Sequence, residues 1–299
     1  MVRAGVPVVS VGNLTLGGTG KTPCVDYVAR FYRERELRVA ILSRGYGSDS
    51  GPNDEALVLE ENLPDVPHLQ GADRTALAVT AVEELESEVL VLDDGFQHRR
   101  LGRDLDLVLI DATCPWGYGY LSPRGLLREP PKALRRAGGV ILTRCDQVSA
   151  DALSKLKAEV ARYAPGLPVA EATHRPTVAV NADGAERSLD EFRGIPATAF
   201  FGIGNPDAFR HTLAQLGIDV TAFRVFPDHH PYQRADVESL EQWCESMPHN
   251  GVVFTTQKDL VKLRIPRLAG RDLWAVRIEL SVRAGEGTLH DLLERVVTG

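Results

Sequence analysis

Short apolar runs rich in β-branched residues alternate with helical patterns along most of the chain. Such runs predict buried strands, and apolar residues spaced three or four apart predict helices between them. In the first half, strands are predicted at 7–11, 39–42, 89–92, 107–110 and 140–143, with helices at 23–33 and 74–85. This alternation predicts a parallel sheet covered by helices on both faces.

A second series of the same kind follows a predicted helix at 150–163. Strands are predicted at 178–180, 197–201, 221–226, 252–255 and 275–280, and helices at 207–216, 237–247 and 288–297. The segment 174–196 carries Asp-Gly and Pro punctuation and is predicted to join the two halves. We therefore expect two α/β lobes, 1–170 and 171–299, with the smaller second lobe closing over a cleft.

A glycine-rich segment, VGNLTLGGTGKTP at 11–23, lies between the first predicted strand and the first predicted helix. Glycines let backbone N–H groups approach phosphates, and a helix N-terminus favours negative charge. The segment departs from the full phosphate-loop (P-loop) pattern GxxxxGK[ST] at Thr15. An ordinary glycine-rich turn is the alternative, but the order of strand, glycines, Lys-Thr and helix favours nucleotide binding in a P-loop kinase-like domain. The residues expected to bind the nucleotide are Gly17, Gly18, Thr19, Gly20, Lys21 and Thr22, with Thr22 also holding Mg²⁺.

Acidic residues stand at the ends of two predicted strands. Asp93 and Asp94 follow the strand at 89–92, and Asp111 follows the strand at 107–110. Ligands of parallel α/β sheets bind at the carboxyl ends of the strands, and a P-loop kinase requires a carboxylate near its metal ion. We therefore expect Asp93 and Asp94 to be ligands of the metal or of its waters. Asp111 is equally well read as a turn or cap residue.

Four cationic side chains follow the acidic pair within ten residues, namely His98, Arg99, Arg100 and Arg103. A solvated basic loop is the common reading of such a run. Beside a phosphate site, however, the arginine fork also suits an anionic substrate. The spacing does not identify which arginine would make that contact.

Composition excludes several other classes of protein. The net charge of −7 argues against a general nucleic-acid binder, and 43% hydrophobic residues predict a sizeable core. The four cysteines form no CxxC pair, so neither a zinc site nor a disulfide framework is expected, and we infer a reducing, cytoplasmic compartment. No apolar run reaches the roughly 18 residues of a membrane span. The chain is expected to enter its first strand directly, without a signal peptide. No obligate protein partner is indicated.

Eight ordered motifs resemble the tetraacyldisaccharide 4′-kinases of lipid A biosynthesis over nearly the whole chain. They are VGNLTLGGTGKTP, LSRGYG at 42–47, NDE at 53–55, GADR at 71–74, DDGFQHRRL at 93–101, LREP at 127–130, FPDHHPY at 226–232 and TTQKDLVKL at 255–263. A GKT match alone is weak evidence, whereas DDGFQH together with FPDHH is highly specific.

The resemblance implies a kinase that depends on ATP and Mg²⁺ and phosphorylates the 4′-hydroxyl of a tetraacylated glucosamine disaccharide 1-phosphate. It also implies a lipid substrate met at the membrane surface, with the enzyme peripheral to the cytoplasmic face of the inner membrane. By motif, Asp54 resembles the residue that takes the hydroxyl proton, and His229 resembles its partner. Arg74, His98 and Arg128 resemble substrate-binding or phosphate-contacting positions. Asp93 and Asp94 resemble residues near the metal and the γ-phosphate, and Glu129 resembles a residue at the metal or nucleotide site, so the expected metal-site residues are Thr22 of the P-loop, Asp93, Asp94 and Glu129. Because Asp54 and His229 fall in different predicted lobes, closure of the cleft is expected to assemble the pair.

Family members commonly begin with a hydrophobic N-terminal helix, which this chain is expected to lack. The loop CPWGYGYLSPRGLLREPP at 114–131 is a candidate for contacting the membrane in place of that helix. Aromatic residues beside arginines suit a bilayer interface. A loop folded onto its own core is the equal alternative.

Two other functions compete with the lipid kinase. One is a switch ATPase of the partition or metallochaperone type, and the other is a kinase of a soluble sugar. Partition ATPases usually carry a lysine before the two glycines, where this chain has Leu16. Leu16 and the Asp54–His229 pair favour the lipid kinase. The segment TRCD at 143–146 resembles a guanine-reading motif, but Arg144 replaces its lysine and the family uses ATP.

Overall fold

A computed structural model of the chain describes residues 1–45, 54–204, 206–246 and 251–298. Parts of the motifs at 42–47 and 53–55, and the end of the predicted helix at 237–247, lie outside these ranges. The described strands are β1 (Val8–Asn13), β2 (Val39–Ser43), β3 (His68–Gln70), β4 (Val89–Asp93), β5 (Leu105–Asp111), β6 (Gly139–Thr143), β7 (Val169–Val180), β8 (Glu186–Ser188), β9 (Pro196–Phe201), β10 (Asp219–Val225), β11 (Val252–Thr256), β12 (Arg267–Leu268) and β13 (Arg271–Ala284). The described α-helices are α1 (Lys21–Arg33), α2 (Asp54–Asn62), α3 (Arg74–Glu83), α4 (Ala150–Tyr163), α5 (Pro206–Gln215), α6 (Arg234–Glu245), α7 (Gln257–Leu263) and α8 (Glu286–Thr298).

The chain divides into two compact units. The first comprises Met1–Asn53, Leu59–Arg175 and Glu279–Gly299, and the second comprises Asp54–Val58 and Pro176–Ile278. The long strands β7 and β13 contribute residues to both.

The first unit is built on a parallel sheet in the order β7-β6-β5-β1-β4-β2-β3. Alternate residues of its strands face opposite sides, as the strand pleat requires. Val9 and Val11 pack with helices α1 and α8, whereas Val8 packs with α3. The even-numbered residues Val108 and Ile110 of β5 share one face of the sheet, and there they pack with α4. Helices therefore cover both faces, which confirms the predicted fold class.

The second unit has its own parallel strands, ordered β10-β9-β11-β13. Short antiparallel partners extend it, because β8 pairs with β7 and β12 pairs with β13. Two clusters of buried residues form its core, one around Phe192, Phe201 and Phe254 and the other around Phe200 and Leu240. The second unit thus combines parallel strands and helices around its own core.

The predicted ranges 1–170 and 171–299 differ from the two units in specific places. Helix α8 belongs to the first unit because Leu289 and Leu293 complete the core around α1. Tyr32 strengthens that contact by donating a hydrogen bond of 2.8 Å to the carbonyl of Leu293. Residues 54–58, which open α2, belong instead to the second unit. The order of the elements along the chain did not reveal that α8 belongs to the first unit and residues 54–58 to the second, because both assignments depend on which core each helix covers.

Among the described helices, none combines the length and the apolar character that crossing a bilayer requires.

Candidate active site

The P-loop connects the end of β1 to the start of α1. Gly20 has a φ of 86°, a left-handed conformation that favours glycine, and α1 begins immediately after it at Lys21. The predicted start at residue 23 was therefore two residues late. Pro23 is tolerated inside the first turn because N–H groups there have no partner within the helix.

Side chains from β1 and β6 fix the shape of this loop. Asn13 donates from Nδ2 to the carbonyl of Thr15 at 2.8 Å and to Thr19 Oγ1 at 3.0 Å. Thr143 donates from its hydroxyl to the carbonyl of Thr19 at 3.0 Å. Arg144 donates to the carbonyl of Gly18 at 2.8 Å. The loop is consequently held in one shape by groups whose contacts with it the sequence patterns did not predict.

Asp94 lies between two cations of the site. Arg128 Nη1 donates to its Oδ1 at 2.5 Å, and Lys21 Nζ lies 3.8 Å from the same oxygen. Arg128 also donates to Asn13 Oδ1 at 3.2 Å, which ties it to the end of β1. Burial alone would raise the pKa of Asp94, but the hydrogen bond from Arg128 and the charges of Lys21, Arg128 and Arg74 lower it overall. Asp94 is therefore an anion at neutral pH.

Asp93 and Thr22 occupy adjoining elements. Asp93 is the last residue of β4 and pairs in register with Val11 of β1, just before the P-loop. Asp93 is buried. The pKa of the Cys24 thiol on α1 is raised first by the burial of Cys24 and then by the negative charge of Asp93. Thr22 is buried at the second position of α1. Both supply oxygen donors, which Mg²⁺ prefers.

Glu129, predicted at the metal site, is surrounded by donors instead. Arg136 donates to both of its oxygens at 2.9 and 3.0 Å, Arg99 donates at 3.1 Å, and Gln97 donates at 3.2 Å. Burial would raise the pKa of Glu129, but these hydrogen bonds and charges lower it. The carboxylate thus orients two arginines. Within the described ranges, no group of three or more His, Cys, Asp or Glu side chains is arranged to hold a metal ion.

His98 is kept neutral by its surroundings. Burial comes first in lowering its pKa, followed by the positive charges of Arg74, Arg103 and Arg100. Its Nε2 is buried and has no hydrogen-bond partner among the described residues. A neutral imidazole beside arginines suits the recognition of an anion that also offers hydrogen-bonding groups.

The three arginines of the basic run have different roles. Arg103 forms bonds from two guanidinium nitrogens to Asp106, at 3.0 to 3.3 Å, and also donates to the carbonyl of His98. Arg103 therefore supports the loop. Arg99 and Arg100 are exposed and reach Glu129 and Asp73 respectively.

Asp54 and His229 contact each other within the second unit. His229 Nδ1 lies 2.9 Å from Oδ2 and 3.1 Å from Oδ1 of Asp54. Asp54 is buried at the start of α2, and its Oδ1 also accepts the backbone N–H of Glu55 at 3.0 Å. The expectation that the pair would come from two lobes was wrong, because both residues belong to the same unit. His230 lies instead 3.1 Å from Asp236.

Lys262 is a further residue close to this pair. Its Nζ lies 3.8 Å from Asp54 Oδ2 and 3.3 Å from Asp259 Oδ1. Asp259 is fully buried and accepts from the Tyr232 hydroxyl at 3.1 Å and from the N–H of Gly202 at 3.1 Å. Lys262 lies inside the TTQKDLVKL motif, so a signal was present, but its contact with Asp54 was not predictable.

Three non-glycine residues of these sites have left-handed backbones, namely Asp94, Arg144 and His229, with φ of 54°, 54° and 56°. This conformation costs roughly 1–2 kcal/mol per residue. An ion pair holds each of the three side chains. Backbone strain of this kind is typical of functional sites.

Asp111 has the turn role that the sequence left open. Its Oδ1 accepts from the N–H and the hydroxyl of Thr113, at 2.9 and 2.6 Å, and its Oδ2 pairs with Arg144. That ion pair positions Arg144 on the P-loop.

A parallel sheet, a P-loop at a helix N-terminus and acidic residues at the next strand end together define an α/β protein of the P-loop nucleotide-binding class. Over residues 1–298, the chain matches the family model of LpxK, the tetraacyldisaccharide-1-P 4′-kinase. The chain therefore belongs to this family and is a kinase.

Individual relatives agree with this assignment. The tetraacyldisaccharide 4′-kinase of Anaeromyxobacter sp. (strain Fw109-5) is 44% identical over 311 residues, covering 98% of this chain and 83% of that protein. The corresponding kinase of Syntrophus aciditrophicus is 37% identical over 323 residues, covering 100% of this chain and 86% of that protein. The crystal structure of LpxK from Aquifex aeolicus in complex with ATP superposes with a TM-score of 0.79 at 32% identity, covering 99% of this chain and 90% of that one. These matches confirm the resemblance and the fold class, and they give no support to a switch ATPase.

Proposed function

We propose that the chain transfers the terminal phosphoryl group of ATP to the 4′-hydroxyl of a tetraacyldisaccharide 1-phosphate, giving the bis-phosphorylated lipid A precursor. The contact between Asp54 and His229 carries this proposal, because a kinase acting on an alcohol has a use for a positioned base. A nucleotide-driven switch would need no such pair. The named activity of the full-length relatives supports the same acceptor.

ATP is assigned to the P-loop. Backbone N–H groups of residues 17–22 and the N-terminus of α1 provide a cradle for the β- and γ-phosphates. Lys21 supplies positive charge to the same phosphates. The hydrogen bonds from Asn13 and Thr143 keep the cradle in shape, so little reorganisation is needed when the nucleotide binds.

Mg²⁺ fits a smaller set of residues than the sequence predicted. Thr22 and Asp93 offer oxygen donors, and Mg²⁺ at nucleotide sites is commonly held by one or two carboxylates together with phosphates and water. Asp94 pairs with Arg128 and Lys21, and Glu129 pairs with arginines, so we assign these two carboxylates to positioning the cations. Bound Mg²⁺ would neutralise charge on the phosphates.

Asp54 is assigned as the proton acceptor for the sugar hydroxyl. An ionised carboxylate can only accept hydrogen bonds, so His229 Nδ1 carries the hydrogen that it shares with Asp54. This bond and the nearby Lys262 fix the orientation of the carboxylate. Catalysis of phosphoryl transfer depends mostly on positioning the reacting groups and on neutralising the charge of the phosphates. A carboxylate base that is held in the correct orientation is therefore sufficient.

The anionic acceptor is assigned to arginines of the first unit and to the neutral imidazole of His98. Arg74, His98 and Arg128 remain the proposed substrate residues. Arg100 is a further candidate because it is exposed on the same basic run as His98. Arg103 is excluded from that role by its bonds to Asp106.

We propose that the loop at 114–131 docks on the membrane through part of its aromatic set. Trp116 does not contribute, because its ring packs 5.4 Å from that of Tyr163 and its Nε1 donates to Glu159. Tyr118 is 76% exposed, and Tyr120 and Leu121 are also exposed. Four acyl chains keep the substrate in the bilayer, since each buried CH₂ contributes about 0.8 kcal/mol.

Two further observations support that surface. Arg124 lies over the Tyr120 ring at 3.7 Å, which places a cation beside an interfacial aromatic. Leu16 of the P-loop is exposed, and its N–H donates to the carbonyl of Leu126 at 2.6 Å. This hydrogen bond ties the loop at 114–131 to the P-loop. The face of the membrane is assigned as the cytoplasmic face of the inner membrane.

A direct assay tests the function. Purified protein, labelled ATP, Mg²⁺ and detergent-dispersed disaccharide 1-phosphate are expected to yield a bis-phosphorylated lipid. Turnover of a soluble sugar without turnover of the lipid would contradict the proposal.

Vesicle co-sedimentation tests the docking surface separately. Tyr118→Ala combined with Tyr120→Ala is expected to reduce binding to vesicles containing phosphatidylglycerol. Val79→Ala is a control, because Val79 is an apolar residue on α3 that is about as exposed as Tyr120. Equal binding of the double variant and the control would contradict docking through this loop.

A further inference from the structure

His174 of β7 lies directly against the P-loop. A Cβ built on Gly20 would lie 2.1 Å from His174 Nε2 and 2.3 Å from its Cε1. These distances are far below those of real contacts, so the imidazole edge fills the space that a side chain at position 20 would need. His174 therefore forms part of the wall of the nucleotide site, although no sequence motif marks it.

The Nε2 atom of His174 has an unused bonding capacity. It is buried and has no hydrogen-bond partner in the part of the chain that the structure describes. A buried polar atom without a partner costs about 1–3 kcal/mol, and such atoms in native proteins call for an explanation. Packing against Gly20 explains the position of the ring but not the unpaired nitrogen.

The imidazole is neutral in this environment. Burial first, and then the charge of Arg144, lowers the pKa of His174 to about 4. A neutral imidazole has one N–H and one acceptor nitrogen, which suits uncharged partners such as sugar hydroxyls and ring nitrogens. Arg144, on the neighbouring strand end, binds the P-loop carbonyl of Gly18.

The sheet order indicates which end of a nucleotide His174 would meet. Asp93 and Asp94 follow β4, which pairs with β1 on one side. Strands β5, β6 and β7 follow β1 on the opposite side, each about 4.8 Å further along. The phosphoryl group that ATP transfers is expected to lie beside Asp93 and Asp94. The nucleoside at the other end of ATP would then extend toward β6 and β7. His174 lies on that side.

We propose that His174 is a nucleotide-binding residue whose Nε2 forms a hydrogen bond with the nucleoside part of ATP. Arg144 forms another part of the wall of the nucleotide site, because it donates a hydrogen bond to the P-loop carbonyl of Gly18. This inference rests on the proposed binding of ATP. It adds a contact for the nucleoside, which the P-loop itself, a phosphate cradle, does not supply.

The test compares ADP with inorganic tripolyphosphate, which carries phosphates but no nucleoside. By calorimetry, His174→Leu and His174→Met are expected to weaken ADP binding about 3- to 10-fold, the loss of one neutral hydrogen bond. Tripolyphosphate binding is expected to stay within about 2-fold. His174→Gln keeps a donor and an acceptor and is expected to recover part of the ADP affinity. Two apolar variants are used in case one of them does not fold. Either variant that folds, as judged by its Tm, is sufficient to test the contact of Nε2 with the nucleoside.

Three outcomes would overturn the inference. Unchanged ADP binding in a folded apolar variant would show that Nε2 makes no contact with the nucleotide. Equal losses for ADP and tripolyphosphate would show that His174 only shapes the loop. Wild-type protein that binds neither ligand would contradict the proposed ATP site itself, and this inference with it.

Discussion

His229 Nδ1 lies 2.9 Å from Asp54 Oδ2, and the two residues are brought together within one compact unit although they are 175 positions apart in the chain. The proposed base and the histidine that would orient it are therefore brought together by the fold of the second unit itself. Domain closure is not required to form the pair. This arrangement makes the chemistry of Asp54 separable from nucleotide binding.

Asp54→Asn is expected to lower kcat by about 10²- to 10⁴-fold, the usual contribution of a positioned general base. ADP affinity, measured by calorimetry, is expected to change less than 2-fold. Glu55→Gln is a matched control, because Glu55 is the next residue and pairs with Lys258 instead. Parallel losses of kcat and ADP affinity would make Asp54 a structural residue.

Lys262→Met is expected to lower both kcat and Tm. The ammonium group is 3.3 Å from the fully buried Asp259, and loss of a partner from a buried charge is strongly destabilising. Lys262→Arg keeps the charge and is expected to retain most of the Tm. A Met variant with wild-type Tm and kcat would rule out any role of Lys262 at this pair. Thermal unfolding and steady-state kinetics provide the measurements.

Arg100 and Arg103 form a matched pair of substitutions. Arg103→Ala is expected to lower Tm, because it removes a buried bidentate bond to Asp106 and a donor to the carbonyl of His98. Arg100→Ala is expected to leave Tm unchanged and to raise KM for the lipid acceptor. The reverse pattern, with a stable Arg103→Ala and an unstable Arg100→Ala, would exchange the two assignments.

The buried His174 gives a pH dependence of stability with a defined sign. Its pKa is about 4 in the folded chain and about 6.5 in an unfolded one, so the unfolded chain binds more protons between these values. Its contribution to the free energy of unfolding is complete above pH 6.5 and falls by up to about 3 kcal/mol as pH falls toward 4. Urea unfolding of His174→Gln at pH 7 and pH 5 is expected to show a smaller difference than wild type. Identical differences in both proteins would contradict this contribution.

The sequence by itself determined most of the architecture of the first unit and the position of its P-loop. Apolar runs at 89–92 and 107–110 predicted β4 and β5 because buried parallel strands need continuous apolar residues. The glycines and Lys-Thr after β1 predicted the P-loop, since that conformation depends on local residues. The ordered motifs predicted the kinase family, which the full-length match confirmed.

Only the tertiary structure decided the partners of the charged side chains. Glu129 binds Arg136 and Arg99, and Arg103 binds Asp106, although the sequence predicted Glu129 at the metal site and did not distinguish Arg103 from Arg99 and Arg100. The contacts of His174 with Gly20, and of Lys262 with Asp54, join residues more than 150 positions apart. A periodic pattern reports which face of a local element is buried. It does not report which distant element supplies the neighbouring charge, because packing of the complete core sets that choice.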